Sequence, residues 1–308
     1  MEPYHSGVQG REEASSMRVF ALSDVHADYS ANMAWLQALS PTHYTDDALI
    51  LAGDVSDNLE TLQTALGAVR AKFAQVFFVP GNHELWVRRG ECTDSLAKFW
   101  RVLELCAALG VRTSPGRIGI AGRDTSVWIV PLFSWYVRPE EGRGSLFVPK
   151  AGEEPTLEMW ADTYFTRWPT LEPGVTVADM FLRMNEAHLQ RQYDAPVLSF
   201  SHFVPRTELI FGTAQERAAA GTQMRDAHPS FNFSRVAGCV GLETQIRRLG
   251  ARLHVYGHQH RNRHRLLEDV LYISHCLGYP RERASGYIYD VGNGPKLIWD
   301  TSEPCPEQ

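Results

Sequence analysis

Metal-ligand side chains fall, again and again, on the residues that follow a short apolar run. MRVFALS, from Met17 to Ser23, leads into Asp24 and His26, and ALILAG, from Ala48 to Gly53, leads into Asp54. QVFFVPG, from Gln75 to Gly81, is followed by Asn82 and His83, PVLSF by Ser201 and His202, and RLHVY by Gly257, His258 and His260. Short apolar runs rich in strand formers and closed by turn residues read as buried strands. Helix-like stretches lie between the first three, so the plan is a buried parallel sheet with crossover helices, an α/β fold. In open sheets of that kind the ligand crevice lies at the strands' C-terminal ends. Gly53, Gly81 and Gly257 allow a sharp backbone turn where each strand stops and its ligands begin.

The rest of the chain fits one domain over residues 17–308 after a polar tail, residues 1–16, expected to be disordered. Ser30 to Leu39 and Leu59 to Phe73 have helical spacing, the latter with Asn58 as N-cap, and a third helix from Thr93 or Asp94 should close at Gly110. SVWIVPLFSWYV is strand-like, with Pro131 suggesting an edge or a bend. Residues 138–174, rich in Pro, Gly and acids, read as an insertion or lid that contains no metal motif. Thr176 to Arg191 is helical again. DVLYISH, GYIYD and PKLIWD supply further strands, the last two pairing across the turn at residues 291–294.

Composition narrows the function classes. The chain of 308 residues carries 30 Lys and Arg against 36 Asp and Glu, a net charge of −6 that argues against a duplex nucleic-acid partner. Any anionic substrate must then meet a local cation cluster or a metal. The 5 cysteines have no CxxC spacing, which suits reduced thiols and a cytoplasmic location. No run of about 18 apolar residues is present to span a membrane. His and carboxylate donors without thiolate are the set expected for divalent Mn, Fe, Zn or Ni. His5, His43, His188, His228, His254 and His264 stand outside these blocks and read as ordinary core or surface residues.

The ordered blocks Asp24-x-His26, Gly53-Asp54, Gly81-Asn82-His83-Glu84, His202 and Gly257-His258-Gln259-His260 resemble the calcineurin-like metallophosphoesterases. The resemblance implies a four-layer α/β/β/α sandwich with a two-metal centre at one end. Carried over by motif, Asp24, His26, Asp54 and His260 would hold one cation, and Asp54, Asn82, His202 and His258 the other. Two divalent cations roughly 3.5–4 Å apart lower the pKa of a shared water and clamp the oxygens of an in-line phosphoryl displacement. No nucleophilic side chain is then needed. His83 resembles the family's general acid for the leaving alkoxide. Asp57 resembles the acid that orients and charges that histidine in the serine/threonine phosphatase branch. That branch continues its GDxxD motif with arginine and glycine, whereas Asn58 and Leu59 follow here, which weakens a protein-phosphatase reading. Asp57 also stands where purple acid phosphatases place a metal-bound tyrosine.

Candidate phosphate-binding cations are Arg88, Arg89, Arg206, Arg261 and Arg263, since guanidinium forks suit phosphate oxygens. His275 and Tyr279 are candidates for the rim. The expected function is dinuclear metal-dependent hydrolysis of a soluble small-molecule phosphate ester. A cyclic-nucleotide or nucleotide phosphodiesterase is the alternative, and a catalytically silent scaffold of the same fold is the rival outside the enzymes.

Overall fold

Period-two alternation sorts the first three strands into two apolar faces. In this computed structural model, which describes residues 16–88, 90, 92–119, 125–213, 229–286 and 288–302, β1 (Arg18–Leu22), β2 (Ala48–Ala52) and β3 (Gln75–Val79) pair in parallel. Phe20, Leu22, Leu49, Leu51, Val76 and Phe78 point to one side and pack with Leu36, Leu62, Leu66, Val69 and Val102. Those partners come from α1 (Ser30–Ala38), α2 (Leu59–Arg70) and α3 (Ser95–Leu109). Val19, Ala21, Ile50, Phe77 and Val79 point the other way and join a second sheet. Alternation along each strand thus builds two cores from one sheet.

The second sheet runs in the order β4 (Gly116–Ile118), β5 (Val127–Pro131), β6 (Val197–Phe200), β7 (Ala251–Val255), β9 (Val270–Ser274), β8 (Arg263–Leu267). Its four central strands are parallel to one another, and β4 and β8 are antiparallel edges. Short helices α4 (Asp162–Phe165), α5 (Val177–Met184), α6 (Glu186–Leu189), α7 (Thr207–Ile210), α8 (Val240–Arg248) and α9 (Pro280–Ala284) follow in the second half of the chain. Ala178 and Phe181 of α5 and Leu242 and Ile246 of α8 belong to the core of the second sheet. The layers are therefore α/β/β/α, as expected. Helix ends obey the sequence signals: Asn58 Oδ1 accepts from Thr61 N at 2.9 Å, Asp94 caps α3, and Gly110 takes φ 68° after Leu109.

Two local expectations change. Gly286–Asp290 forms no strand among its described residues; Ile288 is buried in the helix-side core, and β10 (Lys296–Asp300) pairs antiparallel with β1 instead. That pairing covers an edge of β1 that would otherwise stand open. Pro131 marks neither an edge nor a bend within β5, which lies between β4 and β6; it is the last residue of the strand. Residues 138–174 make contacts with the rest of the domain. Backbone hydrogen bonds run from Val87 N to Phe165 O, Ser95 N to Arg167 O and Glu154 N to Ser230 O, each 2.7 Å. Arg235 holds Glu140 and Glu153 at 2.6 Å, and Leu146 and Leu157 are buried. All of the expected N-terminal tail except Ser16 lies outside the described residues.

Phe77 sits fully buried between the sheets. Phe77→Ala should therefore cost about 3–5 kcal/mol in unfolding free energy, measured by denaturant titration.

Candidate metal centre

The strand ends turn sharply, and the turning residues are the candidate ligands themselves. Asp24, His26, Asp54, His258 and His260 all have positive φ, between 46° and 71°. Non-glycine residues adopt this region rarely and hold it only where the surroundings over-determine it. The surroundings here are backbone hydrogen bonds between neighbouring strand ends: Asp24 N to Gly53 O, His26 N to Asp54 O and Gly257 N to His202 O, each 2.9 Å. Gly53 and Gly81 must be glycine for space. A Cβ on Gly53 would meet His202 Nδ1 at 2.5 Å, and one on Gly81 would collide with Asp54 Oδ1.

Glu84 ties two of these turns together. Its buried carboxylate accepts from Asp54 N at 2.9 Å, Val55 N at 2.6 Å, Ser56 N at 2.9 Å and Gly81 N at 2.7 Å. Burial pushes its pKa up to about 7 despite those donors. On the opposite side of the site, Asn32 Nδ2 donates to Val25 O at 2.7 Å and Gly278 O at 2.9 Å, which fixes the turn bearing His26.

Ligand atoms of Asp24, His26, Asp54 and His260 lie within 4.8 Å of one another, as do those of Asp54, His202 and His258. Asp54 belongs to both groups. His26 Nε2 and His260 Nε2 face each other at 3.0 Å, and His202 Nε2 lies 3.2 Å from His258 Nδ1. Asn82 Oδ1 joins the second group, 3.1 Å from His202 Nε2.

The outer ring nitrogens decide which atoms face inward. His202 Nδ1 meets Ala52 O and His258 Nε2 meets Val236 O, both at 2.9 Å, while His260 Nδ1 meets Glu282 Oε2 at 2.7 Å. Each partner is an acceptor, so the outer nitrogen donates and the inner one is turned toward the centre. Burial, followed by the neighbouring imidazoles, holds His26 and His258 well below the usual histidine range, and burial lowers His202 too. Neutral imidazoles and carboxylates, with no thiolate among them, suit divalent transition metals.

The other sequence candidates divide. His83 belongs to the site: its N–H donates to Asp54 Oδ1 at 2.9 Å, and its ring lies 3.7 Å from that of Trp86. Tyr279 also belongs, with its ring 4.5 Å from His26 and 4.8 Å from His260. Asp57 pairs with Arg88 at 2.6 Å, and the Arg88 guanidinium lies over the Phe165 ring. Arg261 is half-buried beside His260, where burial and then Arg263 push its pKa down to about 10. Arg206 is directed elsewhere, to Glu208, Glu243 and Glu268, in a depression of about 720 Å³ that no candidate ligand lines. His275 is buried, and its Nε2 meets Gly294 O at 3.3 Å. Arg89 lies outside the described residues.

The Calcineurin-like phosphoesterase family model matches residues 17–262. The chain belongs to the calcineurin-like phosphoesterases. Within known proteins, this phosphoesterase is 32% identical over 121 residues to the [Acyl-carrier-protein] phosphodiesterase PptH of Mycobacterium tuberculosis. That alignment covers 38% of the phosphoesterase and 37% of the relative, little more than a third of either chain. The crystal structure of Phosphopantetheinyl Hydrolase (PptH) superposes with a TM-score of 0.67 over 94% of this chain and 97% of that one, at 22% identity. A second solved structure superposes with a TM-score of 0.50 at 13% identity. These superpositions establish a shared fold.

Glu282 and Asp162, which touch candidate ligands of the phosphoesterase, carry no motif that marks them in the sequence. Glu282 holds His260, and Asp162 accepts from Asn82 Nδ2 at 2.9 Å. Asp162 lies inside residues 138–174, the expected insertion or lid, which contains no metal motif. Glu282 stands seven residues after His275 and three after Tyr279, and only its acidic character near those rim candidates could have marked it.

Charge at the candidate centre would make cation uptake proton-coupled. Burial, then Glu84 and Asp24, raise the Asp54 carboxyl well above its usual range. Burial opposes charge on His260, but its hydrogen bond to Glu282 and the field of Asp24 outweigh it and raise its pKa. Both groups must give up a proton that they hold more tightly than usual, so Mn²⁺ affinity should fall as pH drops below neutrality. Calorimetric titration of chelator-treated protein in two buffers of different ionisation enthalpy should show net proton release.

Proposed function

We propose that this phosphoesterase hydrolyses a phosphodiester by two-metal catalysis, with His83 as the general acid. The reading rests above all on one observation: Asp54 lies in both ligand groups, and its Oδ1 also accepts the backbone N–H of His83. The candidate acid is thereby tethered to the carboxylate that both cations would share. Two Mn, Fe, Zn or Ni ions held there would activate a water and draw charge from the phosphoryl oxygens. Asp24, His26, Asp54 and His260 would hold one, and Asp54, Asn82, His202 and His258 the other.

His83 supplies the proton that the leaving alkoxide needs. Burial, then the nearby imidazoles and Arg88, hold its pKa well below the usual range in the ligand-free protein. A bound phosphoester brings negative charge, which favours the imidazolium. The Trp86 ring restricts the imidazole on one side. Tyr279 packs on His26 and His260 and forms the rim, with Arg261 beside it as a candidate contact for phosphate. Asp57 is assigned to orient His83, acting from a loop that also carries its pair with Arg88. Residues 138–174 serve as one wall of the cleft: Trp160 lies 5.7 Å from the His258 ring and Phe165 lies 5.2 Å from Trp86.

The likeness to PptH supports a diester that joins a phosphopantetheinyl group to a carrier protein. Cys92, Cys106, Cys239 and Cys276 form no disulfide, and no helix among the described residues is long and apolar enough to cross a membrane. Both features accord with work in the cytoplasm. The deciding assay presents phosphopantetheinyl carrier protein, cyclic nucleotides, bis(p-nitrophenyl) phosphate and simple monoesters to the enzyme with Mn, Fe, Zn, Ni, Co or Mg. Release of apo carrier protein at the highest kcat/KM is expected; preference for a cyclic nucleotide or a monoester would replace the substrate assignment.

His83→Asn should keep both cations and lower kcat by about 10²–10⁴ for a diester with a poor leaving group. Nitrophenyl esters need less protonation and should lose less. Asp57→Asn should show the same dependence on leaving group, more weakly. Equal losses for both ester types would remove His83 from the acid role.

A further inference from the structure

Asn82 has two ends, and only one can bind a cation. Its amide oxygen is a ligand atom; its NH₂ is a donor alone. Which end faces the centre depends on what holds the other. Asp162, fully buried in α4 and 80 positions along the chain, accepts from Asn82 Nδ2 at 2.9 Å. The same carboxylate accepts from Trp86 Nε1 at 2.6 Å and from Trp160 Nε1 at 2.9 Å. Indole nitrogen only donates, so the two tryptophans keep Asp162 turned as an acceptor. The amide of Asn82 must then present its NH₂ to Asp162, which leaves Oδ1 toward His202 Nε2 at 3.1 Å.

We propose that Asp162 is a positioning residue that sets the orientation of the Asn82 amide and so completes the cation position shared with His202 and His258. Through Trp86, whose ring is 3.7 Å from His83, the same carboxylate also steadies the wall beside the candidate acid. The proposal rests on the reading of Asn82 as a ligand. A carboxylate that serves only stability would, on replacement, weaken both cations together or neither. A carboxylate that orients one ligand weakens one.

The test is calorimetric titration of the metal-free protein with Mn²⁺ alone, supported by the electron paramagnetic resonance signature of a coupled Mn pair. Asp162→Asn should keep one tight equivalent and weaken the second by about 10–100-fold, with loss of the coupled signal. Asn82→Ala should weaken the second equivalent alone, and adding Asp162→Asn to it should cost nothing more. Wild-type binding by Asn82→Ala overturns the ligand reading. Weak binding by Asn82→Ala with wild-type binding by Asp162→Asn overturns the positioning role alone, as does equal weakening of both cations in Asp162→Asn. Should Asp162→Asn fail to fold, the pair Asn82→Asp with Asp162→Asn exchanges donor and acceptor in place. Recovery of the second equivalent relative to Asn82→Asp supports the proposal, and no recovery overturns it.

Discussion

The site depends first on a carboxylate that would hold no cation itself. Glu84 accepts four backbone N–H groups, three from the loop after β2 and one from the loop after β3. Those donors are buried, and each would cost about 1–3 kcal/mol if left without an acceptor. A single side chain thus makes it possible for two strand ends to turn tightly side by side. The left-handed conformation of Asp54 follows from that turn, and with it the aim of the one carboxylate that reaches both ligand groups.

Around that core, the protein controls direction more than presence. Histidine has two ring nitrogens and asparagine has two unlike ends, so a ligand in place is not yet a ligand correctly turned. Ala52 O, Val236 O and Glu282 each hold an outer nitrogen, and Asp162 holds the outer end of Asn82. The α/β/β/α architecture makes such control cheap in chain length. Parallel strands of both sheets end at one rim, so each sheet's loops lie within reach of the other's carbonyls, as His202 does with Ala52 O.

Much of this was legible in the sequence. Strand, glycine and ligand recur in order, because a buried parallel strand, a tight turn and a polar side chain at its exit have to be adjacent in the chain. The helix caps at Asn58 and Gly110 were legible for the same local reason. What escaped is non-local. Asp162 sits on a single-turn helix in an aperiodic stretch, and its partner is 80 residues away, so no spacing could announce it. Arg206 had the right residue type next to a ligand block, but three glutamates claim it. GYIYD has the composition of a strand, yet burial of Ile288 outcompetes pairing, and the open edge of β1 takes β10 instead.

The pairing of β1 with β10 has a temporal side. Arg18 lies opposite Asp300, and Met17 exchanges hydrogen bonds with Thr301 across 284 positions. During synthesis, β1 emerges before the other described strands, and its outer edge stays bare until almost the whole described chain has been made. The turn that carries Asp24 and His26 forms at the end of that same strand, so β10 secures the first pair of candidate ligands. Until then the nascent chain displays an apolar strand with unsatisfied backbone groups, the kind of surface to which chaperones and other nascent copies attach.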